Sequence, residues 1–70
     1  MDRFAKAIRN VLVRFADRGM ESVEIQEIWI ESSIPQDLIE ELIRGGKVEI
    51  PEGIKEIKKG KSVVWRRKGR

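Results

Sequence analysis

Ser33-Ile-Pro-Gln-Asp-Leu-Ile-Glu-Glu-Leu-Ile-Arg-Gly-Gly46 reads as one short helix with both ends marked. Pro35 suits a first helical position, where a missing N–H costs nothing, and Gly45 and Gly46 supply the left-handed residue that closes a helix. Leu38, Ile39, Leu42 and Ile43 fall on one face at amphipathic spacing, which turns Asp37, Glu40, Glu41 and Arg44 outward. Downstream, Lys47-Val-Glu-Ile50 alternates like a half-buried strand, and Pro51-Glu-Gly53 ends it.

Working back towards the N-terminus, Ile34 precedes a proline and so avoids the helical region, which places a break at Ser32-Ser-Ile34. Before that break Ile25, Ile28 and Trp29 share a helical face opposite Glu24, Glu27 and Glu31, predicting a second helix that ends near Ser32. On this pattern Trp29 is expected in the core, and Ile30, off the apolar face, is expected to pack under the turn, with a small contact patch for a partner as the alternative. Met20 to Glu24 is expected to be short and extended, with Ser22 suited to cap the helix that follows. From Asp2 to Arg18 the residues Phe4, Ala7, Ile8, Val11, Leu12 and Phe15 repeat at helical spacing, and Gly19 marks the stop.

Working forward from Pro51, Ile54 to Gly60 shows neither strand nor helix period. A short helix there is the alternative to a loop. Ser62 to Lys68 reads as a second strand, with the inward face left open between Val63, Trp65, Arg67 and Val64, Arg66, Lys68. Trp65 is expected to cover the helix core, with stacking on a base or sugar as the alternative.

Seventy residues allow one domain, spanning 1–70, with a small core. The chain has no cysteine and no histidine, so it lacks disulfides, thiolate or imidazole metal ligands and the side chain best suited to proton transfer near neutral pH. The four serines therefore have no histidine partner, and adjacent carboxylates such as Glu40 and Glu41 diverge on a helix. An enzyme is not expected, nor a cofactor or a metal. Basic residues interrupt the first nineteen positions, so neither a signal peptide nor a membrane span is expected, and a soluble cytoplasmic protein is. Abundant Glu, Lys, Arg and Ile with little Asn and Gln is a thermophile-like balance.

The net charge of +3 hides a divided molecule. Residues 1–19 carry five basic and two acidic side chains, 20–46 one basic and seven acidic, and 47–70 nine basic and three acidic. A basic third of this density is the usual footprint of a phosphate-rich partner.

The order helix, short strand, helix, helix, hairpin resembles the winged helix-turn-helix family. The residues that carry the resemblance are Ser32-Ser-Ile-Pro-Gln36, Leu38-Ile-Glu-Glu-Leu-Ile-Arg-Gly-Gly-Lys-Val48 and Ser62-Val-Val-Trp-Arg66. Small archaeal and archaeal-virus regulators look like this, as does, more loosely, the C-terminal winged helix of archaeal replicative helicases. The resemblance implies an α+β fold, a three-helix core followed by a β-hairpin wing. It also implies double-stranded DNA binding in transcription regulation, with the helix at 35–44 in the major groove and the wing on phosphates.

On that reading Ser33 and Gln36 offer base contacts at the helix start. Affinity comes from Arg44, Lys47, the loop lysines Lys55, Lys58, Lys59 and Lys61, and from Arg66, Arg67, Lys68 and Arg70. The outward acids Asp37, Glu40 and Glu41 depart from the DNA-reading pattern, because carboxylates near phosphates lose affinity. They point to a basic protein partner as the alternative, with RNA binding by the basic wing as a third. A monomer is expected, with pairing through the first helix as the fallback.

Overall fold

A computed structural model describes residues 2–68 as an α+β fold of three helices and one three-stranded sheet. Helix α1 spans Arg3–Asp17, strand β1 Ser22–Glu24, helix α2 Ile25–Ser32, helix α3 Gln36–Arg44, strand β2 Glu56–Lys59 and strand β3 Ser62–Arg66. Arg70, expected to add a basic contact, lies outside the described residues.

Helix α1 opens with the Asp2 carboxylate accepting the Phe4 N–H at 2.8 Å. It closes on Gly19 (φ 84°), where the Gly19 N–H reaches the Ala16 carbonyl and the Met20 N–H the Phe15 carbonyl. The buried face is Ala5, Ile8, Val11, Leu12 and Phe15. Phe4, expected in the core, is 42% exposed, and Ala5 takes the inward place. At the first turn the helix is only beginning to meet the body of the fold, so the apolar period alone misplaces the boundary of the buried stripe.

Helix α2 is capped by Glu24 and not by Ser22: the Glu24 N–H donates to the Glu27 carboxylate at 2.9 Å, half of a capping box. Ser22 belongs instead to β1. Only Ile25 and Ile28 of this helix are buried, whereas Trp29 is 43% and Ile30 64% exposed. Both expectations of core packing are therefore corrected. The side of α2 that meets α1, α3 and the sheet is filled by Ile25 and Ile28, and the helix is too short to bury more. Ser32 makes the break, its hydroxyl donating to the Ile28 carbonyl at 2.6 Å and accepting the Ile34 N–H at 3.1 Å. Ser33 follows in the left-handed region at φ 63°.

Pro35 stands one residue before α3, where its carbonyl accepts the Ile39 N–H at 3.1 Å. The helix ends as its glycines require: Gly46 adopts φ 70°, and the Gly46 and Lys47 N–H groups return to the Ile43 and Leu42 carbonyls.

Residues 47–50 form no strand. Val48 is buried and Ile50 half-buried, so the alternation reports a burial pattern, but no neighbouring chain hydrogen-bonds this segment into the sheet. The strand that enters the hairpin is Glu56–Lys59, within the stretch expected to be a loop or short helix. It is central, pairing in parallel with β1 and antiparallel with β3. Val23, Ile57 and Trp65 form one cross-strand row on the helix side, and Val23 and Ile57 are fully covered. Burying an isoleucine such as Ile57 contributes about 1.5–3 kcal/mol.

A β-bulge between Ile57 and Lys58 skips Val64 in the register, so Val64 and Trp65 both turn inward while Val63 and Arg66 face out. This resolves the open choice of face: neither alternating set is inward. Among the described residues no helix is long and apolar enough to cross a membrane.

Candidate nucleic-acid interface

The hairpin distributes its cations by strand parity. On β2, Ile57 points to the helices, so Lys59, two residues on, emerges on the same side, beside α3. There its ammonium lies 2.9 Å from the Glu40 carboxylate and 3.9 Å from that of Asp37, while Arg44 reaches the other Glu40 oxygen at 2.8 Å. The Lys59 hydrogen bond, with Arg44 second, holds the Glu40 carboxyl below its ordinary value, and Glu40 in turn holds Lys59 above its own. Lys59 and Arg44 are thus engaged by the acidic face of α3.

Lys58 projects to the opposite, outer face, between Glu24 of β1 and Val63 of β3. Beside it Arg66 faces Glu56 across the strands, 3.9 Å apart. Glu24 accepts the Gly60 N–H at 3.2 Å, tying the start of α2 to the hairpin turn. That turn is only Gly60-Lys61, with Gly60 at φ 62° and no positive φ at Lys61, the pattern of a type II′ hairpin. The expected lysine loop is therefore a tight turn carrying Lys61 alone. At the other end of the hairpin the Arg67 N–H donates to the Lys55 carbonyl at 2.9 Å, which sets Lys55 opposite Arg67, with Lys68 one residue further on.

Arg67 does something other than face solvent. Its guanidinium donates to the Pro51 carbonyl at 2.9 Å and the Ile54 carbonyl at 3.1 Å, and lies over the Trp65 ring at 5.1 Å. It clasps the loop after α3 to the end of β3, with Trp65 half-buried against the core beneath it. Its five donors are a poor reserve for phosphates while two carbonyls use them.

No family model matches this chain, nor does any curated protein or solved structure. The site is therefore argued from its own geometry. Lys47 stands apart from the hairpin, lining a shallow cleft with Ala5, Lys6 and Glu49. Ser33 is exposed at the end of α2, and Gln36 is half-buried at the start of α3. Asp37 and Glu41 are exposed, and Asp37 is nearly free of cover.

Of the basic residues expected to bind, Lys47, Lys55, Lys58, Lys61 and Lys68 make no ion pair among the described residues. Four of these line the hairpin. At ~3.3 Å per residue, Lys55 and the turn stand about 17 Å apart. The missed features, the Arg67 clasp and the Lys59 bridge, join residues far apart in sequence.

Proposed function

We propose that this chain is a winged helix-turn-helix protein that binds double-stranded DNA through its hairpin and serves transcription regulation. The observation that carries the reading is the set of four lysines without an ion pair among the described residues, Lys55, Lys58, Lys61 and Lys68, spread along a hairpin whose Lys59 and Arg67 are occupied and whose Arg66 lies 3.9 Å from Glu56. About 17 Å of duplex presents about ten phosphates, ample for four contacts. Such contacts fix position and supply affinity without reading sequence. Ser33 and Gln36 remain the candidates for base contact at the start of α3. Helix α3 otherwise acts as a brace: the Lys59–Glu40 bridge anchors the hairpin to it and neutralises one of its three acids, leaving Asp37 and Glu41 exposed.

The alternative, a basic protein docking on α3, draws on the exposed Asp37 and Glu41. It loses Glu40, which is already paired. Titration of a labelled mixed-sequence duplex, with A-form RNA duplex as competitor, decides among the readings. Micromolar, salt-sensitive DNA binding that RNA competes poorly is expected. Absence of DNA binding at low salt, or equal competition by RNA, refutes the assignment.

A further inference from the structure

We propose that the exposed face of α2, with the groove beside it, is where a second copy of this chain docks. Trp29 and Ile30 are sequence neighbours standing 43% and 64% exposed, whereas the other large apolar residues left exposed, Phe4 on α1 and Val63 on β3, stand singly, and the core contains no buried polar residue among those described. Beside Ile30 an open groove of about 210 Å³ runs between the end of α1 and α2, lined by Phe15, Arg18, Met20, Glu27, Ile30 and Glu31. Ile30 is the most exposed large apolar residue among those described and borders this groove, and exposed apolar residues beside a polar-rimmed groove mark an interaction site.

The charges choose the occupant. One wall of the groove ends in Arg18, whose guanidinium rests over the Phe15 ring at 5.8 Å and makes no ion pair among the described residues. The other wall carries Glu27, which accepts the Glu24 N–H, and Glu31, which only approaches Arg14 at 4.0 Å. A uniformly basic partner helix would meet Arg18 and Arg14, and a uniformly acidic one Glu27 and Glu31. Like charges juxtaposed across an interface cost affinity. A second copy related by a two-fold axis meets neither penalty. Each Ile30 enters the other copy's groove, and Arg18 of each chain faces Glu27 and Glu31 of the other, the self-complementary pattern of an isologous contact.

The interface is small. A standard interface covers ~800 Å² per partner, about a sixth of this chain's 4949 Å², and one helix face with its groove covers less. The dimer is therefore weak, with a dissociation constant of about 0.05–1 mM. It is independent of the hairpin and of nucleic acid, and it uses α2, not the first helix alone.

Sedimentation equilibrium of the protein by itself, from tens of micromolar to about 2 mM, tests the proposal. The apparent mass is expected to rise from monomer towards dimer. I30E holds it at monomer, with circular dichroism unchanged because the side chain is already in solvent. R18E and E31R each weaken association at least about fivefold, while an equimolar mixture of the two associates more tightly than either alone, since the mixed pair restores opposite charge at both contacts between positions 18 and 31. A protein that stays monomeric at 2 mM, association indifferent to I30E, or a mixture no better than its components overturns the assignment.

Discussion

Replacing Lys58 and Lys61 together by glutamine isolates the electrostatic part of DNA binding. Both lysines are without an ion pair among the described residues, Lys58 on the outer sheet face and Lys61 at the turn, so their loss frees no buried acid and breaks no internal bridge. With four phosphate contacts from Lys55, Lys58, Lys61 and Lys68, the slope of log K against log salt on B-DNA is about −3.6, and with two it is about −1.8. Between 50 and 200 mM salt the wild type then loses roughly 150-fold in affinity and K58Q/K61Q about 12-fold. Fluorescence anisotropy on a labelled duplex of mixed sequence, repeated at five salt concentrations, reads both slopes directly. A wild-type slope shallower than about −2, or a double variant whose slope matches the wild type, would refute the hairpin as the binding surface.

Three further outcomes follow from the same geometry. E40Q removes the 2.9 Å partner of Lys59 and leaves it only the 3.9 Å approach of Asp37, so duplex binding tightens and the salt slope steepens by up to about 0.9, as anisotropy would read. Its effect on stability has a pH window. Glu40 is held below its ordinary value of 4.5, so the bridge contributes fully above that value and is lost as pH falls through the lowered one. Lys59, held above 10.5, keeps its contribution below that value and loses it as pH rises through the raised one. The thermal-melt difference between wild type and E40Q is therefore expected at pH 7 and shrinks as pH falls below 4.5 and through the lowered value. R67M removes the clasp on the Pro51 and Ile54 carbonyls and should cost about 1–2 kcal/mol in urea unfolding, with the salt slope of DNA binding unchanged; a shallower slope would return Arg67 to the interface. S33G relieves a left-handed serine and is expected to stabilise by about 0.5–1 kcal/mol, raising Tm by several degrees; a lower Tm would show that the serine side chain matters more than its backbone.

The helices were legible because their ends and their faces carry separate signals that agree. Gly19 and Gly45-Gly46 stop α1 and α3 where the apolar period stops. The sheet was harder to read, since a strand is defined by its neighbour. Lys47 to Ile50 alternates in burial yet pairs with nothing, while Glu56-Ile-Lys-Lys59 has a single core residue and is nonetheless central. The bulge at Val64 breaks the period of two that would have shown the inward face of β3. At the candidate site, the segregation of charge was visible in composition, but which cations are available was not. Lys59 meets Glu40 nineteen residues away, and Arg67 finds its partners in a loop thirteen and sixteen residues back. Trp29 and Ile30 were misjudged because helical spacing tells which residues share a face, not whether another element covers it.

The parallel pairing of β1 with β2 imposes an order on synthesis. Val23 leaves the ribosome early, but its partner Ile57 lies beyond both α2 and α3, and the strand that completes the row, with Trp65, comes last. The sheet cannot begin to assemble from its N-terminal edge, because its middle strand is made after two further helices. Until then Val23, Ile25 and Ile28 have no sheet to pack on, so a chain cut before Glu56 carries an apolar surface with nothing to close it. The hairpin's own contacts are local, whereas its pairing with β1 closes a loop that contains both α2 and α3, the kind of long-range contact that slows folding.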